Sequence, residues 1–356
     1  MAKICIVSPS LKLGGIERQL VLLAKYFVTK NHQVYFISCL KHNKFYKLDK
    51  KVVLIEPSFK RTTGTANKLF FYPKLIFFIR KQVKLINPDT VLTFGDGLSS
   101  RVLLALLGFE TPVYISDRTS PNFKLSPVVK IMKSILYPKA TAMIAQTNYA
   151  ANIKKSQFKN KLKIKVIPNI LEERKKYNIE KKDIILYVGR LSWEKGPKRL
   201  IESFAKIHSV NNGWKLVLAG SGPMLEELKE FTKHFKIEKN VEFLGDVKAI
   251  DKLYAQAKIF AIPSHFEGFP NSLIEAMASG LACLSFDSYP VDEIITHNKN
   301  GLIVKDDDLD AFANSMQKLI SNNELRLRLG ETAKEIAAKL SVEVIGKSYE
   351  NLILNK

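Results

Sequence analysis

Short apolar segments alternate with helical segments along almost the whole chain. In the first half the predicted strands are 3–8, 33–38, 52–55, 90–93, 113–115, 143–147 and 164–169. In the second half they are 183–189, 215–219, 241–244, 259–262, 281–286 and 301–304. This alternation predicts a mainly parallel sheet with helices on both faces in each half. The fold class is therefore α/β, with two doubly wound, Rossmann-like domains.

At 356 residues the chain exceeds the size of one ordinary hydrophobic core, which also favours two domains. Residues 171–183 are the most charged and least periodic part of the chain, and we place the interdomain linker there. We predict an N-terminal domain over 1–168, a C-terminal domain over 169–338, and a last helix over 339–356 that packs back on the first domain. Two such domains in tandem leave a cleft between their carboxyl-edge faces.

The segment 265–280 reads HFEGFPNSLIEAMASG and follows an apolar run typical of a buried strand. A helical pattern begins after Pro270 and ends near Gly280. Glu267 therefore lies in a turn and Glu275 in the helix that follows. Backbone N–H groups at a helix start bind anions, and a carboxylate one turn further in accepts hydrogen bonds from paired hydroxyls. A site that binds phosphates beside a diol suits a nucleotide or a nucleotide-sugar.

The excess positive charge is confined to the first half of the chain. Residues 1–170 contain 29 Lys and Arg against 7 Asp and Glu, whereas residues 171–356 contain 27 of each. A one-sided net charge of +22 indicates an anionic partner, such as a phospholipid surface, a pyrophosphate-bearing substrate or a nucleic acid. The marks of a nucleic-acid-binding module are missing, so no nucleic acid is expected as a partner.

Two basic segments rich in apolar residues lie in this half, at 60–85 and 128–137. Each has the pattern of an amphipathic helix that lies on an anionic leaflet, or of a core-facing helix with a solvated basic face. Their shared position in the positive half favours membrane contact. No segment reads as a transmembrane helix or a secretion signal, and the three cysteines are dispersed. We therefore expect a cytoplasmic protein, peripheral on the cytoplasmic face of the inner membrane.

Glycine-containing turns follow several predicted strands, at the positions where doubly wound sheets bind ligands. Gly14-Gly15 precedes a helix, and suits either close ligand approach or a turn that needs glycine backbone angles. The loop 189–196 carries Arg190 and Lys195, two cations that can hold a diphosphate and neutralise its charge as it leaves. A second glycine loop spans 220–223.

Together these segments resemble the retaining glycosyltransferases of family 4, which have two Rossmann-like domains in the GT-B arrangement. The resemblance covers most of the chain and is strongest from Val166 to Val304. The matching segments are GGIER at 14–18, IPN at 167–169, GR at 189–190, KG at 195–196, GSGP at 220–223, FLG at 243–245, PS at 263–264, EGFP at 267–270, EA at 275–276 and NGL at 300–302. The separation of Glu267 and Glu275 matches the family's E-x7-E motif.

The resemblance implies a role for each matching residue. Arg190 and Lys195 would hold the donor diphosphate and stabilise the leaving nucleoside diphosphate. Glu275 would bind the ribose hydroxyls, and Glu267 would contact hydroxyls of the transferred sugar. The catalytic candidates are Arg190, Lys195, Glu267, Asp117 and Arg118. The donor-binding candidates are Gly14, Gly15, Asn169, Gly189, Gly220, Gly222, Phe243, Leu244, Gly268, Phe269, Pro270, Asn271, Ser272 and Glu275.

The chain departs from the family pattern in two places. Many relatives carry a histidine after the fifth strand of the first domain, near the reacting sugar, whereas Asp117 and Arg118 stand there in this chain. Some relatives that handle N-acetylhexosamines share the acid–arginine pattern. The glycine pair that often follows the position of Asp287 is replaced by Ser288-Tyr289-Pro290. Both changes concern recognition of the sugar or the acceptor.

The family mechanism implied by the resemblance is retention of anomeric configuration without a metal. The departing phosphate oxygen helps to take the acceptor proton, so no side chain need be the sole base. Asp308-Leu309-Asp310 spells the D-x-D manganese motif of the other large glycosyltransferase fold. Here it opens an amphipathic helix, where acidic residues favour the helix dipole. We therefore expect no metal and no cofactor.

The resemblance thus implies a retaining hexosyltransferase that moves a hexose or an N-acetylhexosamine from a UDP-sugar. Its expected acceptor is a polyprenyl-diphosphate-linked or other surface glycan, in lipopolysaccharide or capsule biosynthesis at the anionic inner-membrane surface. Two alternatives share the fold: a nucleotide-sugar isomerase or hydrolase, and a basic nucleic-acid-directed glycosyltransferase or binder.

Overall fold

The computed structural model describes residues 1–41, 44–60, 65–118, 125–175, 177–211 and 213–354, apart from the side chains of residues 65–69. The chain forms two compact units. One comprises Met1–Glu172 with Leu340–Lys356, and the other comprises Glu173–Lys339. The sequence places the divisions at 168 and 338, so that Asn169, assigned there to the second domain, belongs to the first unit. The described part of the predicted linker 171–183 contains neither helix nor strand.

The described part of the first unit contains a seven-stranded parallel sheet. Its strands are β1 (Lys3–Ser8), β2 (Gln33–Ser38), β3 (Val53–Ile55), β4 (Thr90–Phe94), β5 (Val113–Ser116), β6 (Ala142–Ala145) and β7 (Ile164–Val166). They lie in the order β3-β2-β1-β4-β5-β6-β7, with every neighbouring pair parallel. β4 is buried at every position, as expected of a parallel sheet covered on both faces.

Helices cover both faces of this sheet. They are α1 (Gly15–Thr29), α2 (Thr65–Ile86), α3 (Asp96–Ala105), α4 (Pro127–Leu136) and α5 (Asn148–Gln157). Because crossovers between parallel strands are right-handed, α1, which leads back from β1 to β2, lies on one face. The other four lead in the opposite direction along the sheet and lie on the second face, where α3 packs against both α2 and α4.

The second unit contains a parallel sheet of six strands in its described residues. Its strands are β8 (Ile184–Val188), β9 (Lys215–Ala219), β10 (Val241–Gly245), β11 (Ile259–Ile262), β12 (Ala282–Phe286) and β13 (Leu302–Val304). Their order is β10-β9-β8-β11-β12-β13. The helices are α6 (Pro197–Ala205), α7 (Leu225–His234), α8 (Ile250–Gln256), α9 (Asn271–Ala278), α10 (Leu309–Ser321), α11 (Asn323–Ala333) and α12 (Ile336–Lys339). The predicted α/β class with two Rossmann-like domains is confirmed.

The last helix, α13 (Val342–Ile353), belongs to the first unit and packs against α1. The Tyr26 hydroxyl of α1 donates a hydrogen bond to Glu350 at 3.0 Å. The ring of Tyr26 also lies against Gly346, where a Cβ atom would come within 2.5 Å of it. The fit explains why this α13 position carries no side chain.

Both predicted basic helices are present, 60–85 as α2 and 128–137 as α4. Arg61, one of the basic residues of the first, lies outside the described residues. None of the helices within the described ranges combines the length and the apolar character needed to cross a bilayer.

Predicted and observed strands differ mainly at their ends. The strand predicted over 164–169 ends at Val166 in the structure. The Ile167 N–H still donates to the Ala145 carbonyl at 2.9 Å, but Pro168 has no N–H with which to continue the ladder.

Two glycines let loops of the second unit approach each other closely. Gly220 has φ +137°, and a Cβ atom there would lie 2.0 Å from the carbonyl oxygen of Gly189. Gly196 has φ +61°, and a Cβ atom there would lie 2.2 Å from the carbonyl oxygen of Pro263. The loops after β8, β9 and β11 therefore pack with backbone against backbone.

Replacing Gly220 with alanine is expected to lower the free energy of unfolding of the second unit by at least about 2 kcal/mol. The cause is a side chain forced into a left-handed backbone and against a carbonyl oxygen. Both tryptophans, Trp193 and Trp214, lie in this unit, so tryptophan fluorescence during urea unfolding measures the change. Gly213→Ala is the matched control, because a Cβ atom at Gly213 meets no atom within 4 Å. Equal stability of the two variants would contradict the packing argument.

Candidate active site

The strand order of the second sheet reverses between β8 and β11. The crossovers from these two neighbouring strands lead to opposite faces of the sheet, so the loops at their carboxyl ends diverge and leave a crevice. The loop after β8 runs over residues 189–196, and the loop after β11 runs over 263–270. Ligands of doubly wound sheets bind at this kind of position.

Lys195 and Glu267 form an ion pair that joins the two loops. The Lys195 Nζ atom lies 2.7 Å from each carboxylate oxygen of Glu267. The Ser264 hydroxyl donates a further hydrogen bond to Glu267 Oε1 at 2.8 Å. The Glu267 side chain is 7% exposed and that of Lys195 is 31% exposed. An ammonium group has three N–H donors, so Lys195 can hold the glutamate and still bind an anion from solvent.

Backbone contacts fix the distance between the loops. The His265 N–H donates to the Glu194 carbonyl at 3.0 Å. The buried Arg199 of α6 donates from Nη1 to the Pro263 carbonyl at 3.3 Å, and its Nη2 atom lies 2.5 Å from Asp306. The position of Lys195 relative to Glu267 is therefore set by the scaffold.

Helix α9 begins directly after the second loop, at Asn271. Its core side is apolar, with Leu273 and Met277 fully buried. The predicted donor residues of this segment form the turn before the helix and its first turn: Gly268, Phe269, Pro270, Asn271 and Ser272. The N–H groups of a first helical turn and the positive end of the helix dipole favour an anion at this place.

Glu275 lies one turn behind the start of α9 and is 7% exposed. Its Oε2 atom accepts a hydrogen bond from the Tyr254 hydroxyl at 3.1 Å and lies 3.4 Å from Nη1 of Arg174. The Arg174 guanidinium also stacks over the Tyr254 ring, at 4.8 Å from its centre, and pairs with Asp251. These contacts hold the carboxylate in one orientation.

The other predicted residues of this unit also lie at the carboxyl ends of strands: Gly189, Arg190, Gly220, Gly222, Phe243 and Leu244. Arg190 is exposed at the start of the loop after β8. Phe243 and Leu244 are half-buried on the edge strand β10, which β9 separates from β8. They therefore flank the crevice and do not line its centre.

The remaining predicted residues belong to the first unit: Gly14, Gly15, Asp117, Arg118 and Asn169. α1 begins at Gly15, and Gly14 has an extended backbone with φ −178°, which any residue adopts. A Cβ atom at Gly14 would lie 2.2 Å from Oε2 of Glu17. Special backbone angles therefore do not explain this glycine pair.

Arg118 and Asn169, predicted as separate site residues, contact each other. Nη1 of Arg118 donates to Oδ1 of Asn169, which also accepts from Nε2 of Gln146 at 2.9 Å. The Arg118 guanidinium stacks on the ring of Phe94 at 3.8 Å, and Nη2 donates to the Tyr349 hydroxyl at 2.5 Å. The arginine is thus held on three sides.

Asp117 lies in a buried cluster of charged groups. Its Oδ2 atom lies 2.6 Å from Nζ of Lys133 and 3.0 Å from Nζ of Lys154. Its Oδ1 atom accepts from the Tyr137 hydroxyl at 2.7 Å, and Lys133 also pairs with Asp96. Burial works to raise the pKa of Asp117, but the charges of Lys133 and Lys154 outweigh it and hold that pKa below its ordinary value.

With both oxygens engaged, the side chain of Asp117 ties the end of β5 to α4 and α5, next to Arg118. Direct contact of Asp117 with a substrate stays a prediction. Residues 119–121, which complete the predicted loop, lie outside the described residues.

The sequence reasoning passed over three residues at the crevice: Trp193, His265 and Arg174. The indole of Trp193, 62% exposed, stacks on the imidazole of His265 with the ring centres 4.5 Å apart. Burial and then the charge of Arg199 lower the pKa of His265. Because Arg199 donates to Nδ1 at 3.2 Å, the neutral ring carries its proton on Nε2. An aromatic residue inside a cationic loop is visible in the sequence, whereas nothing marks Arg174 within its charged segment.

Within the described ranges, no group of three or more His, Cys, Asp or Glu side chains could hold a metal ion. The Asp308 side chain caps α10 by accepting from the Ala311 N–H at 2.9 Å. Asp310 stands in the first turn of that helix and pairs with Lys206. The D-x-D triplet therefore serves as a helix start.

Two family models match the chain, one over most of each unit. The model described as glycosyl transferases group 1 matches residues 169–336. The model described as glycosyltransferase family 4 matches residues 13–173. The boundary between them falls at the end of the first unit.

Similar proteins cover nearly the whole chain. One is an alpha-1,4-N-acetyl-D-galactosaminyltransferase of Campylobacter jejuni that acts on a glycan linked to undecaprenol diphosphate; it is 27% identical over 99% of this chain and 98% of its own length. The solved structure of sucrose-phosphate synthase from Thermosynechococcus elongatus matches with a TM-score of 0.85 and 17% identity, over 100% of this chain and 99% of that one. That of Anabaena HepE, solved in complex with UDP, matches with a TM-score of 0.77 and 17% identity, over 99% and 100%.

The Asp117 cluster predicts a specific dependence of stability on pH. Because the folded-state pKa of Asp117 is lowered, its charge stabilises the fold at neutral pH, down to the unfolded-state pKa near 4. That contribution is lost as the pH falls through the folded-state pKa. We expect Asp117→Asn to lower the free energy of unfolding by about 3 kcal/mol at pH 7, and by less at pH 3.

Far-UV circular dichroism during urea unfolding at the two pH values measures this difference. The control is Asp49→Asn, which alters an exposed carboxylate of the same unit and should change stability little at either pH. A deficit for Asp117→Asn that stays the same at pH 3 would show that folding does not lower the pKa of Asp117.

Proposed function

The chain belongs to the family 4-like glycosyltransferases, and from that premise we propose a reaction for it. We propose that it moves a hexose or an N-acetylhexosamine from a UDP-sugar to a lipid-linked glycan, with retention of anomeric configuration. The observation that carries this proposal is the ion pair between Lys195 and Glu267 at the point where the strand order of the second sheet reverses.

The pair places a cation and a hydrogen-bond acceptor side by side. The bond that breaks joins a phosphate, which a cation stabilises, to a sugar, whose hydroxyls an acceptor binds. Negative charge develops on the departing phosphate, and a positioned ammonium in a partly buried site stabilises it. Lys195 and the exposed Arg190 supply this charge, together with the N–H groups at the start of α9. The Glu267 carboxylate accepts hydrogen bonds from hydroxyls of the transferred sugar.

Glu275 takes the nucleoside end of the donor. A carboxylate accepts hydrogen bonds from both hydroxyls of a ribose, provided that it is held in place. The contacts of Glu275 with Tyr254 and Arg174 supply that orientation. UDP is the nucleotide bound in the Anabaena relative of the same fold, which supports UDP as the nucleotide of the donor.

The reaction needs no metal in this proposal, because side-chain cations neutralise the diphosphate. The bond between the sugar C1 and the phosphate oxygen breaks, and an acceptor hydroxyl oxygen bonds to C1 on the same face. The departing phosphate oxygen takes the hydroxyl proton, so the products are UDP and the extended glycan. No side chain acts as the sole base.

We infer the acceptor class from the Campylobacter relative, whose acceptor is linked to undecaprenol diphosphate. A carrier of that kind resides in a membrane, and the positively charged first half of the chain suits an anionic membrane surface. We place the reaction at the cytoplasmic face of the inner membrane, in the assembly of a surface polysaccharide.

A donor screen followed by a transfer assay tests the proposal. Thermal shifts with UDP-glucose, UDP-galactose, UDP-GlcNAc, UDP-GalNAc and the GDP-sugars identify the donor. That donor is then incubated with a polyprenyl-diphosphate-linked glycan in EDTA, and mass spectrometry and NMR report the product and its anomeric configuration. Consumption of the donor at full rate without any acceptor would identify a hydrolase or an isomerase.

In the same assay, Lys195→Ala is expected to lower kcat by about 10²- to 10³-fold while the protein remains folded, because the leaving diphosphate loses its positioned cation. Lys198→Ala is the matched control. Lys198 lies three residues away, is 45% exposed and pairs with Glu227. Turnover of Lys195→Ala near that of Lys198→Ala would overturn the assignment.

Glu275→Gln is expected to weaken binding of UDP by about tenfold or more, because a charged hydrogen-bond acceptor for the ribose is lost. Calorimetric titration with UDP and with 2′-deoxy-UDP separates this role from a structural one. The wild type should prefer UDP, and the variant should lose that preference. Glu226→Gln, at a carboxylate that is 81% exposed, is the control. A ribose preference that survives in Glu275→Gln would rule out the assignment.

A further inference from the structure

Helix α4 partly reverses the usual pattern: it exposes a row of apolar residues and buries a lysine together with Leu136. Val128, Ile131 and Ile135 are 67%, 59% and 60% exposed. Lys133, on the opposite side of the helix, is 1% exposed. An ordinary amphipathic helix on a sheet buries its isoleucines and exposes its lysines.

The buried lysine explains how this orientation is held. Nζ of Lys133 pairs with Asp96 at the start of α3 and lies 2.6 Å from Asp117 at the end of β5. Turning α4 by half a revolution would bury Ile131 and Ile135, but it would take Lys133 away from Asp96 and leave two buried carboxylates with the charge of Lys154, which pairs with Asp117. An uncompensated buried charge is strongly destabilising. The cluster therefore fixes α4 with its apolar side facing outward.

Helix α2 lies on the same face of the sheet and shows a related surface. The exposed residues among its described side chains include Phe70, Phe77 and Leu85, each 70% exposed, and the basic residues Lys74, Arg80, Lys81 and Lys84. Neither α2 nor α4 contains an aspartate or a glutamate. Apolar groups and lysines thus alternate over the outer side of this layer of helices, without acidic residues on the two helices.

We propose that these outer sides of α4 and α2 dock on an anionic lipid bilayer. The docking surface consists of Val128, Ile131 and Ile135 of α4 and Phe70, Phe77 and Leu85 of α2, together with the exposed Lys130 of α4 and Lys74, Lys81 and Lys84 of α2. The apolar side chains enter the boundary between headgroups and acyl chains, and the lysines meet anionic headgroups. The inference rests on the proposed function for a membrane-borne acceptor, and it names the part of the chain that reaches the membrane.

Charge favours a bilayer over a second copy of this chain as the occupant. Two copies joined through the docking surface would bring the same lysines together, in halves that each carry a net charge of +22. Like charges at close range oppose such contact, whereas anionic headgroups neutralise them. The reversal of α4 also supplies exposed apolar side chains that water does not stabilise.

Flotation of the full-length protein with vesicles tests the proposal. Vesicles of phosphatidylcholine with phosphatidylglycerol should carry the wild type to the top of a density gradient, and vesicles of phosphatidylcholine alone should carry less. I131S/I135S should bind the anionic vesicles at least about tenfold more weakly than the wild type, because two apolar side chains are lost from the interface. Leu327→Ser is the matched control, since Leu327 is 63% exposed on α11 of the second unit.

A second measurement locates the surface directly. The cysteines Cys5, Cys39 and Cys283 are all buried, so a cysteine introduced at Ile131 is labelled selectively. An environment-sensitive fluorophore at Ile131→Cys should shift to the blue with anionic vesicles, and the same label at Leu327→Cys should not. Equal flotation of I131S/I135S and wild type, or no shift at position 131, would overturn the docking surface. So would a wild-type dimer in light scattering that I131S/I135S converts to a monomer.

Activity separates this inference from the proposed reaction. I131S/I135S should transfer sugar to a short-chain, water-soluble acceptor at the wild-type rate, and to an acceptor embedded in vesicles more slowly. Transfer that is intact with both acceptors refutes the docking surface and leaves the reaction standing. Flotation of the wild type with anionic vesicles, without sugar transfer to either acceptor, refutes the proposed reaction and leaves the docking surface standing.

Discussion

The contact between Lys195 and Glu267 depends on the reversal of strand order in the second sheet. Parallel strands that lead to opposite faces open a crevice at their carboxyl ends, and the loops on either side meet there. A carboxylate as buried as Glu267 requires a charged or hydrogen-bonded partner, and the lysine of the other loop provides it. Gly196 permits this meeting, because its backbone touches the carbonyl of Pro263.

Buried charges are compensated by ion pairs in the first unit as well, where they position a helix and a loop. Lys133 lies between Asp96 and Asp117, Lys154 pairs with Asp117, and the two lysines compensate the two carboxylates out of water. Because Lys133 is on α4 and Asp117 precedes Arg118, one cluster sets both the rotation of a surface helix and the base of the loop that carries the arginine. Stacking on Phe94 and hydrogen bonds to Tyr349 and Asn169 complete the support of Arg118.

The sequence predicted features that depend on residues close together in the chain, and it did not predict contacts between residues far apart in the chain. Strands such as β2, β9 and β11 were predicted to the residue, because runs of buried apolar residues between turn signals are a local property. The relation between Glu267 and Glu275 was also local, since only seven residues of turn and helix separate them. The partners of these glutamates were not predicted as contacts: Arg174 lies in an irregular segment, and Tyr254 on a helix that has no motif.

The sequence by itself determined two parallel sheets, the loops that carry the candidate site and the uneven distribution of charge. These features depend on periodicity, turn residues and composition, which are local properties of the chain. Only the tertiary structure decided which charges meet. It joined Lys195 to Glu267, gave Asp117 two lysines and a tyrosine, and turned Ile131 and Ile135 toward solvent with Lys133 inside. These pairings join residues distant in the chain, or depend on the rotation of a helix about its own axis. Both follow from how charges are compensated in a packed interior, which no local pattern records.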